Sequence, residues 1–450
     1  MKSSSLHSYG ELRLPRYTSY PTAPLFSPAV DGRAYADWLS AVSPASPISL
    51  YLHIPFCRSM CWYCGCHTTI SARNDPIAHY LLSLRREIEI VAAQMGARPQ
   101  AAHVHLGGGT PTIMKAADLV QLMRLLRDRF DVARDAEVTI EIDPRVLAPD
   151  MLDAFSESGI NRASLGVQTF DPLVQQSINR VQSVECTAES IAGLREAGVE
   201  HINFDLIYGL PHQTVGSCVD TVAAALAMRP SRLAVFGYAH VPGFKKHQRL
   251  IDEAALPDGE ARIEQAAAIA DMLVAAGYVQ IGLDHFALPD DELARAHAGR
   301  RLRRNFQGYT SDRCDTLIGF GASAIGRTEG GYVQNDVGIR NYSALVNAGR
   351  LATARGCRLT EEDRMRGAII ERLMCDFEAD IVKICTERGF DPTMLLHGNE
   401  RLSRLLDEGL AEMDAGIVRM RPGHRFLVRM AAAAFDAYLE RSPRMHGKAA

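Results

Sequence analysis

Apolar residues along this chain fall into two alternating rhythms. Short aliphatic and β-branched runs occur at positions 50–54, 103–106, 138–142, 162–167, 202–207 and 233–237. Between them, apolar residues recur at three- and four-residue intervals over 76–94, 116–130, 149–157, 188–197 and 216–227. The first rhythm predicts strands and the second amphipathic helices. Gly96, Gly159 and Gly198 stand at predicted helix ends, where a left-handed residue closes the last turn. Strands alternating with helices imply a parallel sheet joined by right-handed crossovers. A seventh unit, helix 259–276 followed by strand 278–283, extends the sheet, and 317–325 adds a strand or lines the cavity.

The rhythm fails at both ends of the chain. Residues 1–47 read as an N-terminal arm with many Ser and Pro, one short helix at 34–41, and three aromatics, Tyr9, Tyr17 and Tyr20, that argue for packing. Residues 48–355 read as an α/β barrel with its extension. Residues 356–450 form a mainly α-helical C-terminal domain, with helices at 361–375, 379–387 and 401–407, a β-hairpin at 409–420 and a helix near 424–440. Helices beside a small wing could bind DNA, but no basic recognition helix precedes this wing. A cap over the barrel mouth is the better reading.

Composition narrows the class. The chain has 450 residues, 47% of them hydrophobic and 23% charged, with a net charge of −4. That excludes a disordered chain and an overall basic nucleic-acid binder. The N-terminus lacks the apolar core of a signal peptide, and no apolar run reaches spanning length. Ten cysteines in so long a chain are not a disulfide framework. The expectation is a cytoplasmic protein with no membrane or nucleic-acid partner.

Chemistry concentrates at the predicted strand ends, where parallel barrels carry their active sites. The first strand breaks at Pro55 into a loop bearing Cys57, Cys61, Cys64 and Cys66. Three thiolates on one loop can wrap three corners of an iron–sulfur cluster; alternatively, Cys66, His53 or His67 could complete a four-ligand zinc site. The second end carries Gly107, Gly108 and Gly109 followed by Thr110, allowing close backbone approach to a ligand. The third carries Glu141, the fourth Gln168 followed by Arg180, the fifth Asp205 and the sixth Ala239 and His240.

The C-x3-C-x2-C spacing, with Tyr63 before its last cysteine, resembles the signature of the radical S-adenosylmethionine (SAM) superfamily. The resemblance implies an α/β fold, a partial (β/α)6 barrel. It also implies a [4Fe–4S] cluster whose unligated iron holds SAM and cleaves it to a hydrogen-abstracting radical. The segments R-Y-T-S-Y-P-T-A (16–23), G-G-G-T-P-T, E-I-D-P, G-V-Q-T-F, D-L-I-Y-G-L-P, D-H-F and R-N-F-Q-G-Y-T (304–310) occur in order. Together they are similar to the oxygen-independent coproporphyrinogen III dehydrogenase family.

That family resemblance implies oxidative decarboxylation of two propionates of coproporphyrinogen III to vinyl groups, giving protoporphyrinogen IX in haem biosynthesis. It further implies two SAM molecules per chain. Cys57, Cys61 and Cys64 would ligate the cluster, and Cys66 would act in catalysis. Tyr51, Tyr63, Gly108, Glu141 and Ile325 would hold the first SAM; Gly109, Thr110, Gln168, Arg180, Asp205 and Ala239 would line the second. An unidentified reductant and electron acceptor are needed, and a monomer is expected. The substrate's four carboxylates call for cations, with Arg13, Arg16, Lys245, Lys246, Arg249, Arg303 and Arg304 as candidates. Two rivals are a haem-binding chaperone relative and a two-SAM radical methyltransferase. The arm, Cys66 and the 304–310 segment disfavour the chaperone; the arm and that segment disfavour the methyltransferase.

Overall fold

The computed structural model describes residues 14–441. Six parallel strands, β1 (Ile48–Ile54), β2 (Gln100–Gly108), β3 (Asp131–Ile142), β4 (Arg162–Gln168), β5 (His201–Tyr208) and β6 (Arg232–Gly237), form the curved wall of a partial barrel. Helices α1 (Gly32–Ser40), α2 (Asp75–Met95), α3 (Ala116–Arg129), α4 (Pro149–Ser158), α5 (Val184–Glu196), α6 (Val215–Ala227) and α7 (Gly259–Ala275) cover the outside. Six further strands complete the sheet: β7 (Val279–Ile281), β8 (His285–Ala287), β9 (Thr316–Phe320), β10 (Ile325–Thr328), β11 (Gly331–Asn335) and β12 (Thr353–Arg358). The strand order is β12-β11-β10-β9-β1-β2-β3-β4-β5-β6-β8-β7.

Period-two alternation assigns the two faces. Leu50, Leu52, Val104, Leu106, Ile140, Leu165 and Phe204 are buried in one large core with Ile88, Leu122, Phe155 and Leu194 of the helices. The intervening residues turn into the barrel and are polar. At the strands' N-terminal ends they form an ionic floor. Arg162 pairs with Glu137 at 2.9 Å and Arg232 with Asp291 at 2.6 Å, while His103 lies 3.6 Å from Asp312. Buried charges persist only when matched in this way, so the floor closes the barrel and the open end is the other one.

Several elements differ from the pattern-based reading. The strand predicted at 278–283 is shorter and lies at the sheet edge, because the antiparallel β8 pairs with β6 in its place. The run 317–325 divides at Gly321–Ala324 into β9, parallel to β1, and β10, which turns back antiparallel. β12 crosses position 355, so the sheet runs past the expected domain junction. In the C-terminal region α8 (Glu361–Asp376) is followed by a strand, Glu378–Asp380, and then by α9 (Ile381–Glu387). That strand joins Ala411–Asp414 and Ile417–Met420 in a three-stranded sheet. The helix expected near 424–440 is broken into short turns around α10 (Val428–Ala433).

The arm packs as its aromatics suggested. Leu14, Tyr17 and Tyr20 are buried in the C-terminal core with Ile369, Leu373, Ala431 and Phe435. Tyr9 and Arg13 lie outside the described residues. No helix among the described residues is long and apolar enough to cross a membrane.

Candidate active site

The open end gathers the predicted site residues at the C-terminal tips of the strands. Cys57 follows β1 directly, and its thiol accepts a hydrogen bond from Thr68 at 3.4 Å. Burial pushes that thiol up to about 11. Cys61 is buried and faces two guanidiniums, Arg145 Nη2 at 3.5 Å and Arg180 Nη1 at 3.6 Å. Cys64 is pulled down to about 6, first by a hydrogen bond from the Cys66 thiol. Cys66 has accessible surface yet lies near enough to Tyr51 and Glu141 for its charge to be felt.

A second loop grips this one from outside. Lys245 donates to the Cys66 carbonyl at 2.9 Å, His247 Nε2 lies 2.8 Å from the Cys64 carbonyl, and Gln248 donates to the Tyr63 carbonyl at 3.0 Å. The Gln248 amide also donates to the Ala239 carbonyl at 3.2 Å, placing the end of β6 against the cysteine loop.

The glycine run is a cradle built by exclusion. A Cβ on Gly107 would lie 2.8 Å from the Glu141 carboxylate, and one on Gly109 would strike the Phe56 carbonyl. Gly108 adopts φ 119° and donates its N–H to Glu141 Oε2 at 2.9 Å. Glu141 also lies 3.1 Å from His105 Nε2; despite its burial, these partners hold its carboxyl below the usual range. Thr110 accepts from the Asp143 N–H at 3.1 Å, which ties the cradle to the end of β3.

Arg180 is the hub of the far side. It pairs with both Asp143 oxygens at 3.3 Å and donates to the Gly166 carbonyl, and its buried Nε has no partner. Gln168 reaches the same place through a left-handed backbone, φ 69°. Asp205 accepts from Ser164 at 3.3 Å; burial, and then the Glu141 charge, push its carboxyl up to about 7. Tyr51 contacts His53 Nδ1 through its hydroxyl at 2.9 Å. Ile325 opens β10, which reaches β1 only through β9. Asp143, Arg145 and His105 are site residues that the sequence reading does not single out. Asp143 lies within E-I-D-P, two positions after Glu141, and His105 shares a strand face with His103.

The donor set fits a cluster and SAM. Three free thiols lie on one loop, beside a cradle in which backbone N–H groups and carboxylates can meet an amino acid's charged end. Among the described residues, no group of three or more His, Cys, Asp or Glu is arranged to hold one metal ion. A cluster asks for wider spacing, because each thiolate takes a different iron.

Residues 51–225 match the Radical SAM superfamily model. The parallel barrel, three-thiol loop and glycine cradle are those of a radical SAM protein, whose cofactors are a [4Fe–4S] cluster and SAM. The chain is 56% identical over 449 residues to "Oxygen-independent coproporphyrinogen III oxidase" of Bradyrhizobium diazoefficiens, covering 100% of both. The relative of that name from Pseudomonas aeruginosa is 41% identical over 95% of this chain and 94% of its own. The solved coproporphyrinogen III oxidase from Escherichia coli, a radical SAM enzyme, superposes with a TM-score of 0.90 at 38% identity, over 94% of this chain and 98% of that one. The chain belongs to the oxygen-independent coproporphyrinogen III oxidase family.

Proposed function

We propose that this protein oxidatively decarboxylates two propionates of coproporphyrinogen III to vinyl groups, giving protoporphyrinogen IX. The observation that carries this reading is the three-thiol loop set against the Gly107–Gly109 cradle, in a chain that matches the coproporphyrinogen III oxidase of Bradyrhizobium diazoefficiens over its full length. The findings give no support to the chaperone or methyltransferase readings.

Cys57, Cys61 and Cys64 would hold the cluster, leaving Cys66 free to serve the reaction. Bound together, the cluster and SAM supply a one-electron route to hydrogen abstraction from unactivated carbon. The protein's part is placement. Arg145 and Arg180 offset the thiolate charge at Cys61 through charge-assisted hydrogen bonds. Glu141 and the Gly108 region suit an ammonium or ribose hydroxyl, and Tyr51, Tyr63 and Ile325 supply apolar surface beside them. On the far side, Gln168, Arg180 and Asp205, with Gly109, Thr110 and Ala239, are assigned to a second SAM. Asp205, with its carboxyl near 7, can donate as well as accept at neutral pH. Tyr17 and Tyr20 of the arm help to shut the cavity from solvent.

A separate reductant for the cluster and a final electron acceptor complete the reaction, and the protein is assigned to the cytoplasm as a monomer. Anaerobic reconstitution with SAM, reductant and coproporphyrinogen III should release CO2 and give a product lighter by two CO2 and four hydrogen atoms. Stoichiometric haem binding without CO2 release would refute the reading.

A further inference from the structure

Beside the SAM-directed residues, the barrel mouth holds a second charged group that the chemistry above does not use. Tyr208 ends β5 next to β6, and the Arg262 guanidinium of α7 lies over its ring, 5.8 Å from the centroid. A Cβ on Gly209 or Gly237 would meet that guanidinium at 2.7 and 3.2 Å, so both strand ends make room for it. Opposite, Arg304 comes from the hairpin of Arg303–Asn305 and Gly308–Thr310 and lies over Tyr309, 4.3 Å from the centroid. Its Nη2 donates to the Arg16 carbonyl of the arm at 3.4 Å, whereas its buried Nε and Nη1 have no partner.

Asp284 is the carboxylate here, and it is already engaged by His285 at 2.7 Å. Arg304 and Arg16 both act on it electrostatically. Arg429 of α10 brings a further cation from the C-terminal domain. Burial first, and then the Arg16 charge, pull it down to about 10, and Arg304 acts on it in the same sense. Guanidiniums stay charged in proteins. Among the described residues, Arg304, Arg429 and the exposed Arg16 act on one carboxylate, Asp284, while Arg262 reaches the group through Tyr208. The buried, unpartnered nitrogens of Arg304 are costly unless an acceptor arrives. Arg303, by contrast, is satisfied by Glu371 and Asp315 at 3.2 and 3.1 Å.

We propose that Arg304, Arg429, Arg262 and Arg16 form a carboxylate-binding site that holds a propionate of the tetrapyrrole while another propionate lies at the SAM side. This rests on the functional reading above and adds which residues recognise the substrate. The planar fork of Arg304, with two free nitrogens, suits a carboxylate better than an ammonium would. The C-terminal domain then contributes to recognition through Arg429 as well as covering the barrel.

The test compares R304A, R304K and R429A with the parent after anaerobic reconstitution. Iron content and SAM dissociation constants should stay within twofold. The KM for coproporphyrinogen III should rise at least tenfold in R304A and R429A, with partial recovery in R304K. Coproporphyrin III tetramethyl ester, which has no free carboxylate, should bind parent and variants alike. An unchanged KM in iron-loaded R304A and R429A would overturn the site while leaving the function standing. A loss of SAM affinity matching the loss of substrate affinity would also overturn it, since the carboxylate held would be that of methionine. A parent enzyme that neither binds coproporphyrin III nor releases CO2 would defeat the functional reading itself, and the site with it.

Discussion

Arg180 and Cys61, 119 residues apart in sequence, meet at 3.6 Å, and the same guanidinium spans both oxygens of Asp143. The side chain assigned to the second SAM is therefore also a neighbour of the cluster loop. Arg180→Ala should reduce bound SAM from two equivalents to one. The lost charged contact corresponds to about 1.5–3 kcal/mol. Iron should remain, since Arg145 still faces Cys61. Equilibrium dialysis with labelled SAM, alongside iron analysis, checks both outcomes; two equivalents retained would remove Arg180 from that site.

Cys66 lies close enough to Cys64 to pull its thiol down, but the two are assigned different duties. Cys57→Ala should abolish the cluster's visible absorbance. Cys66→Ala should keep the absorbance and lose activity by about a hundredfold, the lower range for a positioned proton-transferring group. Iron loss in Cys66→Ala would make it a ligand.

Glu87 on α2 tests the frame, away from the chemistry. It accepts from Gly321 N, Asn335 Nδ2 and Tyr342 OH, and burial pushes its carboxyl up from 4.5 to about 7. A carboxyl raised by folding is protonated more readily in the native state. Its stabilising contribution is thus complete below about pH 4.5 and is lost as pH rises to about 7. The difference is worth roughly 3 kcal/mol at 1.36 kcal/mol per unit. Denaturant unfolding of the parent should weaken by that order between pH 5 and 8, and Glu87→Gln should flatten the dependence. Parallel profiles would show that Glu87 does not titrate this way.

Much of this could be read from residue order. The six parallel strands announce themselves because each is an apolar run bounded by helices, and alternation in H-V-H-L already places His103 and His105 on the inner face. The antiparallel strands β8, β11 and β12 are not legible in the residue order, since they are short and their partners are set by tertiary packing. Arg145 reaches Cys61 through the single turn Pro144–Val146, a geometry that no periodicity encodes. Arg429 and Arg304 lie 125 positions apart on different elements, so only folding reveals that they share a site.

The arm makes a further prediction. Tyr20 is 6% exposed, its hydroxyl accepts from the Ala437 N–H at 3.0 Å, and its ring lies 5.9 Å from that of Tyr438. Tyr20→Ala should destabilise the C-terminal region by about 3–5 kcal/mol, the range for large aromatic truncations. Iron content should be spared, because the cysteine loop packs outside that core, with Trp62 and Tyr63 against Val174, Ile178, Leu210 and Tyr238. Hydrogen exchange should show faster opening over residues 361–435 and unchanged protection in β1–β5; uniform loss of protection would mean that the two cores unfold as one.

The contact between Tyr17 and Asp436, at 3.1 Å, spans 419 positions. During synthesis the first part of the core to emerge is completed by the last. While the barrel can form as its strands leave the ribosome, Leu14, Tyr17 and Tyr20 must wait for partners not yet made. Completion of that core is consequently a late event of biogenesis, one that follows the synthesis of the cysteine loop and of every strand of the barrel wall.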